Sequence, residues 1–175
     1  QVELGDLLSD RGNSEGAIAA QTAAFECAQA LVAAAPDDPQ ARIELVACRA
    51  RLLTAKFWRA PGQAKLDLAQ LHADAQLLTQ DEQRSGVPLE RLTAIWLAVA
   101  DGYNQQGQRR DELPALDVAL RLRRRAVLRD PADPRHRRDL AAVLHRVARA
   151  ASGAGNEARA DAASREAIAV ADELV

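Results

Sequence analysis

One stretch of this chain occurs twice in the same register, and that recurrence constrains the fold more than any other feature. Gly12, Pro36, Pro39, Arg42 and Leu45 reappear 95 residues later as Gly107, Pro131, Pro134, Arg137 and Leu140. Asp38 aligns with Asp133, and Glu44 with Asp139. The landmarks also recur at half that offset, since Gly107 and Gly155 are 48 residues apart and Leu45, Leu92 and Leu140 are 47 and 48 apart. An offset of 143 superposes Gly12-Asn13 on Gly155-Asn156, Ala17 on Ala160, and Leu31-Val32 on Leu174-Val175. A period of this size predicts hairpin units that each bury an apolar face on their neighbours.

Between the landmarks the apolar residues follow helical spacing. The sequence predicts helices over residues 1–12, 14–35, 38–59, 63–84, 89–106, from about Asp111 to the Asp130-Pro131 break, 133–151, and from Asn156 onward, still running at Val175. The stripe Leu92, Trp96, Val99, Tyr103 has spacings of four, three and four. Proline cannot continue a helix, so Pro36-Asp37-Asp38-Pro39, Ala60-Pro61-Gly62 and Asp130-Pro131-Ala132-Asp133-Pro134 read as breaks. Pro114 falls in a first turn if Asp111 caps that helix, where a missing N–H is harmless. No alternating β-branched run is long enough for a strand. Apolar residues are 48% of the chain but aromatics only 3%, so close Ala and Leu packing has to make the core.

Composition excludes several classes. No apolar run is expected to approach the roughly 20 residues of a membrane span, and residue 1 onward shows no signal-peptide pattern. Gln1, with no Met anywhere, reads as a piece of a longer or processed chain. Cys27 and Cys48 lack metal-binding spacing and read as buried free thiols. His72, His136 and His145 are scattered over separate helices and read as structural, with no metal or cofactor expected. Gly153-Ala154-Gly155 follows a helix rather than a strand, so it is a turn and not a phosphate loop. The pairs Asp37-Asp38 and Asp111-Glu112 sit at helix starts, where acids offset the dipole rather than do acid–base chemistry. No catalytic residue is expected.

The charge is unevenly distributed behind a net −2. Residues 1–48 hold eight acids against Arg11 and Arg42, and residues 109–149 hold twelve Arg against six acids. Solvated helix faces account for this asymmetry, and self-association between the acidic and basic halves is the alternative. The run Arg121, Arg123, Arg124, Arg125, Arg129 spreads around its helix and has no aromatic interleaving, so no nucleic acid is expected as a partner.

The pattern resembles the tetratricopeptide repeat family. The first unit shows Leu4-Gly5, Leu8, Gly12, Ala17, Ala24 and Pro36. The third shows Trp96, Val99-Ala100, Tyr103, Gly107, Leu116, Ala119 and Pro131, and the fourth Leu144, Val147-Ala148, Gly155, Ala160 and Ala167. The family's commonest unit is about 34 residues; here the second helix is longer, as in arrays attached to bacterial signalling proteins. Glu112 departs from the pattern by standing at a small-residue position. The resemblance implies an all-α solenoid, a right-handed superhelix of about four hairpins over residues 1–36, 37–87, 88–131 and 132–175. It further implies a cytoplasmic interaction scaffold that binds a peptide or partner protein on the concave face made by each first helix. The groove positions carry over to Val2, Asp6, Ser9 and Asp10, to Leu97, Asp101, Asn104 and Gln105, and to His145, Arg149 and Ser152. The alternative is a regulatory segment of a larger bacterial signalling enzyme. The last helix, ending without its proline, is expected to leave an apolar face needing a neighbour.

Overall fold

The computed structural model describes residues 14–57, 61–80 and 87–173. These are all-α, with seven helices and no strand among the described residues. They are α1 Ser14–Ala34, α2 Pro39–Lys56, α3 Pro61–Gln80, α4 Leu89–Gln105, α5 Arg109–Arg129, α6 Pro134–Gly153 and α7 Glu157–Asp172. The first expected helix, with Asp6, Ser9 and Asp10, lies outside the described residues. The chain forms two compact units, Gln1–Val87 and Pro88–Val175.

The recurring landmarks turn out to be helix-end chemistry. Asp38 and Asp133 are the N-caps of α2 and α6, each followed by proline in the first turn. Their carboxylates accept the Gln40 and Arg135 amides, both at 2.9 Å, which satisfies donors with no intrahelical partner. Gly107 and Gly155 follow α4 and α6 in the left-handed region, at φ 71° and 74°. At the first, the Gln108 amide donates to the Tyr103 carbonyl at 2.9 Å and the Gly107 amide to Asn104 at 3.0 Å. At the second, Asn156 donates to Ala151 and Gly155 to Ser152, both at 2.9 Å. This is the six-to-one and five-to-two pattern of a Schellman end, which favours glycine. No atom lies within 4 Å of a Cβ built at Gly155, or at Gly62 in the first turn of α3. Gly155→Ala should therefore cost about 1 kcal/mol through backbone conformation alone. Gly62→Ala should add roughly 0.5 kcal/mol, because a helical Gly becomes Ala. Urea unfolding of both variants checks the pair of opposite signs.

Helix starts depart from the expected ones in two places. α5 begins at Arg109, because the turn at Gly107 leads the chain directly into a helix whose first bonds end on the Gln108 carbonyl. Asp111 is therefore inside the first turn rather than a cap, and Pro114 lies within the helix. α3 begins at Pro61, so Pro61-Gly62 opens the helix instead of forming the turn. α7 ends at Asp172 with Glu173 as its C-cap, and the expected continuation at Leu174-Val175 lies outside the described residues. Its exposed side carries Asp161, Arg165 and Asp172 around Ile168, so that face is mixed rather than apolar.

In unit 1, α1 and α3 each pack on α2. Ala24 and Ala28 meet Cys48, with Phe25 and Leu45 against them. Cys27 is exposed, one position off that stripe, which corrects the reading of both thiols as buried. α3 buries Ala64, Leu68, Leu71, Ala75 and Leu78, spaced by four and three, and leaves Leu66 and Leu77 outside the stripe. Glu15–Ala34 is long and apolar enough by length and composition to cross a membrane, which corrects the expectation that no run approaches that. Here its Ala17, Ala24 and Ala28 are buried in the unit.

In unit 2 the sequential helices α4, α5, α6 and α7 pack in turn. Leu92, Val99, Leu116, Leu122 and Leu144 are fully buried, and small residues (Ala100, Ala119, Ala148, Ala160) sit between them. Trp96 lies in the same core and Tyr103 is half-buried. The arginine run is largely absorbed here. Arg123 pairs with Asp139 of α6 at 3.0 Å, Arg124 pairs with Glu166 of α7 at 2.7 Å, and Arg159 of α7 reaches back to Asp117.

Candidate functional site

The predicted groove residues that are described lie on α4 and α6 of unit 2. On α4, residues 97, 101 and 104 fall within one helical stripe, as do residues 145, 149 and 152 on α6. The structure joins the two helices through a residue that the sequence reading had not singled out. Arg146 donates to the Asp101 carboxylate and to the Leu97 carbonyl, the latter at 3.4 Å. Asp101 and Arg146 are both half-buried. Partial desolvation strengthens such a pair relative to one in bulk water, and it holds the first helices of two successive hairpins side by side.

The second residue outside the predicted groove set is Glu112. It sits at the small-residue position of α5, and its side chain is 0% exposed. Neither carboxylate oxygen has a hydrogen bond. Among the described residues its ion-pair partner is Arg109, at 3.5 Å and 44% exposed. Burial pushes the Glu112 carboxyl above the usual carboxylate range, opposed by Arg109, Arg149 and Arg146. Burial also raises Asp101, again opposed by Arg146 and Arg149. Two acids and three arginines thus share one field across α4, α5 and α6. The signal in the sequence was the misfit at Glu112 itself; nothing marked Arg146 apart from the other arginines.

Arg149 is exposed and makes no hydrogen bond or ion pair among the described residues. It stands near Asp101 and Glu112 without pairing to either, the cluster's free cationic tip. His145 is exposed one turn before it, and Ser152 bonds to Glu157 at 3.4 Å. Asn104 and Gln105 are half-buried in the last turn of α4. The structure therefore brings Leu97, Asp101 and Arg149 into one neighbourhood. It places His145, Asn104 and Gln105 on its edge, without contacts that assign them a role.

One other cluster has ligand-like geometry. Asp130, Asp133 and His136 place ligand atoms within 4.8 Å of one another at the start of α6, so His136 does have acidic neighbours. Asp133, however, is the helix N-cap and also receives the Arg135 guanidinium, with Nε at 3.0 Å from both oxygens. Those bonds hold its carboxyl down at about 2. A cation there would compete with a guanidinium and face the positive end of a helix.

What the fold defines is an all-α protein built from helical hairpins. Compared with known proteins, the chain matches no family model and no curated protein.

Proposed function

We propose that this chain is a protein-interaction scaffold of stacked helical hairpins, of the tetratricopeptide kind, that holds a partner's peptide or helix against α4 and α6. The observation that carries this reading is the joint between those helices. Arg146 is used internally on Asp101 and Leu97, while Arg149, one turn on, stays exposed. A scaffold needs a rigid face with a few uncommitted polar groups, and this face has both. No nucleophile–base pair accompanies the cluster, so binding accounts for it better than catalysis. The partner approaches a surface with one more arginine than acid, which favours an acidic or neutral segment.

Capture experiments with three chains test this: the wild type, Asn104→Ala/Arg149→Glu, and Arg121→Glu as an exposed control on α5. The double variant is expected to lose partners by about tenfold or more, since charge reversal at a docking face is repulsive, while the control keeps them. Equal recovery by all three chains, with unchanged helical circular dichroism, would reject α4 and α6 as the docking face.

A further inference from the structure

A second site lies wholly within unit 1 and is built on different chemistry. α1 and α3 both pack on α2 and scarcely on each other. Between them is a cleft of about 360 Å³, at the small end of the range for small-molecule sites. Val32 of α1, Leu45 and Val46 of α2, and Leu77 and Leu78 of α3 line it. Leu77 is 60% exposed, an apolar side chain at an open rim.

Two arginines bracket the apolar floor. Arg42, Leu45, Val46 and Arg49 follow at i, i+3, i+4 and i+7, so they share one face of α2. The two arginines leave the helix about 10 Å apart along its axis. They are not equivalent. Arg49 is bonded to Asp74, which also accepts from Gln70 at 2.9 Å, and its guanidinium lies 5.5 Å from the Phe25 ring centroid. Arg42 is exposed, and its side chain has no hydrogen bond or ion pair among the described residues. Asp38, one turn before it on the chain, accepts the Gln40 amide at 2.9 Å. The cleft therefore has one neutralised end and one cationic end.

The repeat explains why Arg42 is uncommitted. Its counterpart 95 residues on, Arg137, donates to the Pro131 carbonyl at 2.6 Å and to Glu173 at 3.2 Å. The same offset takes Asp172-Glu173 back to Leu77-Leu78. Where unit 2 has Glu173 to pair with the arginine, unit 1 has Leu78 with Leu77 beside it, and these widen the apolar wall and leave Arg42 without an acid there.

We propose that this cleft binds a small, free amphiphile with a carboxylate head and an aliphatic tail. The head pairs with Arg42, and the tail lies along Leu45, Val46, Leu77 and Leu78. A planar guanidinium takes a carboxylate by two parallel hydrogen bonds. The apolar lining contributes in proportion to the tail area removed from water.

Isothermal titration with monomeric decanoate, below its micelle concentration and at neutral pH, tests this. Decanoate should bind the wild type at one per chain. Arg42→Gln should weaken it about tenfold, the size of one charge-assisted contact. Leu77→Gln should weaken it roughly fivefold by removing apolar wall. Both side chains are exposed, so both variants should keep the fold, checked by their melting curves. Decanol should bind the wild type about as weakly as decanoate binds Arg42→Gln. The proposal is overturned if decanoate does not bind, if decanol binds equally well, or if neither substitution changes its affinity.

Discussion

Glu112→Leu is expected to raise stability by about 2 kcal/mol at neutral pH, within the range found when buried charges are replaced by apolar residues of similar volume. Glu112 is fully buried with both oxygens unbonded, and its single ion pair is long. Removing one partner of a buried pair usually leaves the other stranded. Here the remaining partner, Arg109, is 44% exposed and returns to solvent. The pH dependence follows from the raised carboxyl of Glu112. In the unfolded chain a glutamate ionises near about 4.3. Above the folded value, the penalty of the buried charge is fully present. It shrinks as pH falls from the folded value toward the unfolded one, because both states then hold the proton. The advantage of Glu112→Leu should therefore be largest at neutral pH and fade toward pH 4. Asp101 is raised as well, but it is present in both proteins and largely cancels in the difference. Urea unfolding of the two proteins between pH 4 and 7.5 measures this. A variant less stable than wild type at pH 7.5 would mean that Glu112 is better paired than its geometry implies.

Leu144→Ala is expected to cost about 3 kcal/mol, while Leu128→Ala should stay within about 0.5 kcal/mol. The chemical change is the same. Leu144 is 0% exposed in the core of unit 2, and Leu128, near the end of α5, is 80% exposed. The first substitution removes transfer energy and leaves a void lined by packed neighbours; the second removes atoms already in water. Midpoints of urea unfolding at constant slope separate the two. Equal losses would mean that Leu128 packs against something in solution, which would make the end of α5 an interface.

Much of the fold was legible because helix ends obey local rules. Gly107 and Gly155 recur because a Schellman end needs a residue with positive φ. Asp38 and Asp133 recur because a helix start needs an acceptor for its free amides. These requirements act over a few residues and leave a clear trace in the chain. The start of α5 was misplaced because Asp111 offers the chemistry of a cap, whereas the Gln108 carbonyl takes the first bonds without one. Leu66, Leu77 and Leu128 are apolar by type, but each lies outside its helix's buried stripe.

The candidate site was half legible. The positions on α4 and α6 are those that the tetratricopeptide resemblance implies, and Asp101 and Arg149 do come near each other. Arg146 could not be picked out, because arginines at 146 and 149 are equivalent as residue types. Only the distance between α4 and α6 decides that one reaches Asp101 and the other stays free. The arginine run changed meaning for the same reason. Arg123 and Arg124 carry partners from α6 and α7 that are distant in sequence, so much of what reads as a basic surface holds helices together.

By itself, then, the sequence determined where most helices start and stop, because caps, prolines and left-handed glycines are local conformational requirements. It also determined that hairpins repeat, because the same requirements recur at a fixed interval. Only the tertiary structure decided which charges are consumed and which remain available. The free energy of a charge depends on what stands within a few ångströms and how much water is left around it. Arg42 and Arg137 occupy the same place in the repeat. One faces leucines and the other a glutamate, residues about 35 positions further along the chain that only helix packing brings beside the arginine.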